Sequence, residues 1–158
     1  MRTGAVRKRT ISPDPVYQSV LLSQLVNRVM RSGKKSVAQR QVYRALDIVG
    51  KKSKENPLHI FEQAIENLRP NMEVRTRRIG GAAYQIPAPV RQERKNSLAL
   101  RWLIQSARNL PNSQYHNFYE KLASEILAAQ KREGVAMKKK DDIHRQAEAN
   151  KAFSHFRW

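Results

Sequence analysis

The chain contains no cysteine. That excludes disulfides, thiolate metal sites and cysteine nucleophiles together, and it suits a reducing compartment. Negative charge is scarce too: 13 Asp and Glu face 31 Lys and Arg among 158 residues, a formal net charge of +18 with a pI near 10.9. No acidic tail offsets this excess, so the natural partner is a polyanion. No apolar run reaches the length needed to cross a bilayer, and the opening MRTGAVRKRT is not followed by the apolar segment of a secretory signal. The expectation is a soluble protein. Internal repeats and low-complexity tracts are also missing. The length suits one domain that buries a core without metal or disulfide.

What is present is best read outward from Arg69–Val90, RPNMEVRTRRIGGAAYQIPAPV. Val74, Thr76 and Arg78 alternate with Glu73, Arg75, Arg77 and Ile79, which is strand spacing, and Gly80-Gly81 supplies the positive backbone angles of a tight reversal. Residues 72–88 therefore read as a β-hairpin of about 23 Å reach at about 3.3 Å per residue. Pro70 fences one edge, and Pro87 and Pro89 are expected to end the other. Two strands alone are marginal in water, and repulsion among Arg75, Arg77 and Arg78 weakens them further, so something acidic should hold them.

Residues 1–12 carry Arg2, Arg7, Lys8 and Arg9 with almost nothing to bury, and read as a basic arm before one helical domain at 13–158. Asp14-Pro15 has the form of a helix start, with Leu21, Leu22, Leu25, Val26 and Val29 as the buried stripe and Gly33 as the stop. Lys34-Lys35 follow on the turn, and Ser36 is expected to cap a second helix to about Lys52. The phosphate-binding loop that Gly33-Lys34 brings to mind is rejected. It needs a glycine five positions earlier and a hydroxyl directly after the lysine, where this chain has Arg28 and Lys35. Asn56-Pro57 starts a third helix that stops before Pro70.

Beyond the hairpin, a fourth helix from about Arg91 to Leu110 turns Leu98, Trp102, Leu103 and Ala107 inward. Arg94, Arg101 and Arg108 recur every seven residues on one side. A solvated face mixes signs and this stripe does not. Ser113 is expected to cap a fifth helix ending at Gly134. A sixth helix follows, led by Lys138 to Lys140 with Asp141-Asp142 near its positive end, and finishes in Phe153, His155, Phe156, Arg157 and Trp158. Aromatics among basic side chains can stack on bases or pack on a neighbour. The fold class is mainly α, six helices with a protruding two-stranded hairpin.

Catalysis finds little support. Asp141, His144 and Glu148 lie at one-turn steps, but no third ligand, glycine-rich loop or nucleophile motif accompanies them. His59, His116 and His155 are isolated. No cofactor or metal is expected.

Several stretches together carry a resemblance: Gly33-Lys34-Lys35, VRTRRIGGAAYQIP from Val74 to Pro87, Arg101-Trp102, and HRQAEANKAFSHFRW from His144 to Trp158. The chain resembles ribosomal protein seven of the small subunit, bacterial or organellar type, over nearly its whole length, departing from the pattern at Gln41 and Gln146. The resemblance implies a binder of small-subunit rRNA at the three-prime major domain that nucleates assembly of the head, in the cytoplasmic ribosome. It also implies that Arg2, Arg7, Lys8, Arg9, Lys34, Lys35, Arg75, Arg77, Arg78, Arg94, Arg101 and Arg108 clamp phosphates. Gly80, Gly81, Ala82 and Tyr84 would approach exit-site tRNA and the mRNA path. The implied neighbours are ribosomal proteins nine and eleven, with Phe153, Phe156 and Trp158 as a docking face. A competing reading from the residues alone is a DNA-binding helix-turn-helix at Gly33 to Ser36, with Gln39, Arg40 and Arg44 aimed at bases, which leaves the hairpin idle.

Overall fold

A computed structural model describes residues 10–156; Arg2, Arg7, Lys8, Arg9 and Trp158 lie outside the described residues. Among those described, the order is α1 (Val20–Val29), α2 (Lys35–Ser53), α3 (Pro57–Leu68), β1 (Met72–Ile79), β2 (Ala82–Pro89), α4 (Gln92–Asn109), α5 (Phe118–Gln130), α6 (Val135–Ala149) and a closing 3-10 turn (Lys151–Phe156). The mainly α fold with one antiparallel hairpin is as expected.

The apolar stripes meet around α5, which packs on α2, α3 and α4. Leu122 and Ile126 of α5 are fully buried, as are Leu22 and Leu25 of α1, Val42, Leu46 and Val49 of α2, Phe61, Ile65 and Leu68 of α3, and Leu100 and Leu103 of α4. At about 25 cal/mol per Å² of apolar surface, each such side chain contributes about 1.5–3 kcal/mol. A smaller cluster of Val90, Leu98 and Trp102, covered by half-buried Ile143, sits where the hairpin leaves the helices.

Several element ends differ from the sequence expectation. Asp14-Pro15 forms a turn and not the start of α1. The Asp14 carboxylate accepts from the amides of Val16 and Tyr17, and Gln18 at φ +52° breaks the helical path, so Ser19 caps α1 instead. The helix ends at Val29, ahead of Gly33, and α2 begins at Lys35 with no side-chain cap, leaving Ser36 inside its first turn. α5 starts at Phe118, where Asn117 and Glu120 close a reciprocal capping box, so Tyr115 precedes the helix. Asp141-Asp142 fall in the middle of α6. The carboxylate at that positive end comes from α5: Glu125, only 3% exposed, accepts from the Ala136 amide at 2.8 Å. Gly134 makes this junction possible, since its φ is +95° and a Cβ there would meet Ala128 Cβ and Glu125 Oε1 at 3.1 Å each.

Asn56-Pro57 starts α3 as expected, the Asn56 side chain accepting from the Leu58 amide. The hairpin turns at Gly80 (φ +57°) and Gly81 (φ +89°). Pro87 and Pro89 do not end it; they pair across from Val74 and Met72. A two-stranded ribbon is all edge, so a missing amide donor on its outer side removes no ladder bond.

Candidate nucleic-acid interface

The candidate clamp residues that the structure describes divide between two neighbourhoods, the hairpin with its root and a face shared by α1, the α1–α2 turn and α4. At the root, residues directly opposite share a face of the ribbon, so Glu73, Arg75 and Arg77 lie with Ala88, Ile86 and Tyr84, and Arg78 lies on the other side. Glu73 is 5% exposed and ties together two of the candidate clamp residues. Its Oε1 accepts from Arg75 Nε at 2.7 Å and its Oε2 from Arg94 Nε at 2.5 Å. Burial alone would raise the Glu73 carboxyl, but the hydrogen bonds and charges of Arg94 and Arg75 outweigh it and hold the pKa below the usual value. Within the hairpin, Glu73 thus supplies an acidic partner to Arg75.

Other bonds fasten the same root. Asn71 donates its amide to His144 Nε2 at 3.1 Å, accepts from Lys95 Nζ at 3.0 Å through its side chain, and accepts from the Val90 amide at 3.0 Å. His144, the most reactive-looking residue of α6, thus holds the hairpin to that helix in its neutral form. Burial, then the charge of Lys140, pushes its pKa below the ordinary value, with Asp141 opposing. Among the described residues no group of three or more His, Asp or Glu is placed to hold a metal. Farther out, Tyr84 meets Phe153 and Phe156 of the 3-10 turn with ring centroids at 5.4 and 5.8 Å. Arg77, opposite Tyr84, is half-buried, whereas Arg78, Gly80, Gly81 and Ala82 are exposed.

The second neighbourhood has a different character. Arg28, Arg101 and Arg108 line a hollow of about 460 Å³. Arg108 also lines a groove of about 490 Å³, together with Arg31 and Lys34. Among the described residues no carboxylate lines either one. Burial lowers the pKa of Arg28, and the charge of Arg101 adds to it; burial likewise lowers Arg108, with Arg31 adding. These side chains are positioned by neutral partners: Arg28 donates to Ser97 Oγ at 2.8 Å, and Arg108 to the Val29 carbonyl at 3.3 Å, closing the C-terminus of α1. Cations gathered without a counter-charge raise the local potential and attract anions.

Of the candidates, the structure brings Lys34, Arg101 and Arg108 to this face, with exposed Lys35 next to Lys34, and ties Arg94 to Glu73 at the root. Arg28 and Arg31 were not among the phosphate-contact candidates of the sequence. Their signal was weak, since Arg28 flanks the apolar stripe of α1 and Arg31 precedes the more conspicuous Gly33-Lys34-Lys35. Of the DNA-reading candidates, Arg44 lies over the Tyr119 ring at 5.7 Å.

Comparison with known proteins bears on this arrangement. A family model described as ribosomal protein S7p/S5e matches residues 1–151. The small ribosomal subunit protein uS7 of Thermotoga maritima is 52% identical over 158 residues, all of both chains. Those of Thermomicrobium roseum and Marinobacter nauticus are 53% and 52% identical over 157 residues, 99% of each chain. With a family model spanning most of its length and relatives of half-identical sequence from end to end, the chain belongs to the ribosomal protein S7p/S5e family of the small ribosomal subunit.

Proposed function

We propose that the protein is a structural RNA-binding component that grips the three-prime major domain of small-subunit rRNA, and so nucleates assembly of the head in the cytoplasmic ribosome. The observation that carries this reading is the cationic face spread over the end of α1, the α1–α2 turn and α4, whose two hollows are lined by no carboxylate among the described residues. Groups on separated elements reach phosphates of more than one RNA helix and set the angle between them, which is recognition by shape. The exposed Arg78 supplies a further phosphate contact, and the hairpin tip from Gly80 to Tyr84 extends toward exit-site tRNA and the mRNA path. Phe153 and Phe156, packed on Tyr84, belong to the C-terminal aromatic face that suits docking of ribosomal protein eleven. No catalytic step is assigned.

Binding to a transcribed three-prime major domain, measured against salt, tests the reading. If about eight phosphates are neutralised, log affinity falls with log salt at a slope of about −6 to −7. A slope near zero defeats it, and duplex DNA outcompeting the folded RNA would favour a helix-turn-helix role.

A further inference from the structure

The groove beside Arg108 has two kinds of wall. Part of its lining is apolar, from Val29, Val37, Ala38 and Phe118, and part is cationic, from the exposed Arg31, Lys34 and Arg108. At about 490 Å³ it falls in the size range of small-ligand sites. Gln41 also lines it, and the Gln41 Oε1 is shielded from water without a hydrogen-bond partner. An acceptor left in that state weakens the fold, and a ligand in the groove reaches it only after the amide turns about its last torsion. The wall on the α4–α5 side is held in place by Lys121, 6% exposed, whose Nζ donates to the Leu110 carbonyl at 2.5 Å and to Asn112 Oδ1 at 2.6 Å.

We propose that this groove seats one unstacked nucleobase of an RNA strand, its edge read by the Gln41 amide and its flanking phosphates held by Arg31, Lys34 and Arg108. The proposal rests on the RNA-binding reading above and adds a base-reading element to it. A nucleotide has the same division as the groove, a flat apolar face joined to an anionic backbone. A paired helix presents phosphates to the cationic part but nothing to the apolar part. An apolar peptide fills the apolar part and leaves three cations unmatched. Phe118 offers a ring against which a splayed base packs. The Gln41 amide carries both a donor and an acceptor, and half a turn about its last torsion exchanges them, so it meets either kind of base edge.

The test compares wild type, Val37→Trp and Gln41→Leu for binding to the transcribed three-prime major domain over a range of salt. Val37 is 41% exposed, so a tryptophan there fills the groove with little burden on the core. Val37→Trp is expected to weaken binding about tenfold or more, and Gln41→Leu about three- to tenfold. Gln41→Leu should leave the salt slope as it is, because it removes no phosphate contact, whereas Val37→Trp, which expels the nucleotide, should reduce the magnitude of the slope together with the affinity. Gln41→Leu should melt no lower than wild type, since it deletes an unpaired acceptor. Wild-type affinity in both variants, with a steep salt slope retained, overturns the groove and leaves the RNA reading standing. A flat salt dependence in wild type brings down the RNA reading itself. If Val37→Trp fails to fold, Gln41→Leu decides alone.

Discussion

Arg94 and Arg101 stand two turns apart on the same helix, yet they work in opposite electrostatic surroundings. Arg94 reaches down to Glu73 and is neutralised by its own chain, whereas Arg101 faces Arg28 and, among the described residues, no carboxylate lines the hollow they share. The first arginine helps hold a hairpin to a helix. The second keeps its charge available. A seven-residue repeat places residues on one side of a helix, but the fate of each charge depends on what the rest of the chain sets opposite it.

The sharpest way to break this comparison is to remove Glu73. Glu73→Ala leaves Arg75 and Arg94 without their shared acceptor at a buried point, and a loss of about 2–3 kcal/mol is expected in denaturant unfolding. This sits below the usual figure for a broken buried pair because both arginines are half exposed. A change under 0.5 kcal/mol would show the root to be held by other means. Next, Arg101→Ala and Arg108→Ala should each reduce the magnitude of the salt slope for rRNA-domain binding by somewhat less than one. Arg101→Ala should leave stability unchanged or slightly raised, since it relieves Arg28 of a like charge.

Arg94→Ala should do the reverse. It is expected to lower stability by about 1 kcal/mol and leave the salt slope nearly unaltered. A slope change equal to that of Arg101→Ala would erase the distinction. The smallest effect concerns pH. Both Glu73 and His144 have folded pKa values below their ordinary ones, 4.5 and 6.5, so each contributes stability that is complete above that value and is lost as pH falls through the folded one. Acid destabilisation should therefore begin below about pH 6.5, as His144 takes a proton and gives up the Asn71 amide. A second decline should follow below about pH 4.5. In His144→Phe the first decline should vanish and the second remain, which thermal melts between pH 4 and 8 would resolve.

The hairpin was legible because Gly80-Gly81 between alternating residues is a local signal with a local cause, and the register that pairs Arg75 with Ile86 follows from it. The third helix was legible for the same reason, with Asn56, Pro57 and a three-and-four-residue apolar spacing. The misplaced helix starts have a shared explanation. Asp14, Ser36 and Ser113 are all plausible caps, but Asp14 is engaged in a turn and accepts from Tyr43 on α2 at 2.8 Å. Asn117 prevails over Ser113 because Glu120 completes its box. The N-terminus of α6 receives its carboxylate from eleven residues upstream, which no pattern within α6 reveals. The stripe Arg94, Arg101, Arg108 was visible, and its division into a tied and a free part was not.

By itself, then, the amino-acid order determined the polyanionic class of partner, the helical periodicities, the hairpin and the family, since all of these follow from composition or from residues within a few positions of one another. Tertiary structure alone decided which cations are neutralised and which are left open, where the hairpin root is fastened, and that Arg28 and Arg31 join Arg101 and Arg108 on one face. The physical reason is range. A charge responds to everything within several ångströms, and most of what lies that close to Glu73, Arg108 or His144 comes from distant parts of the chain.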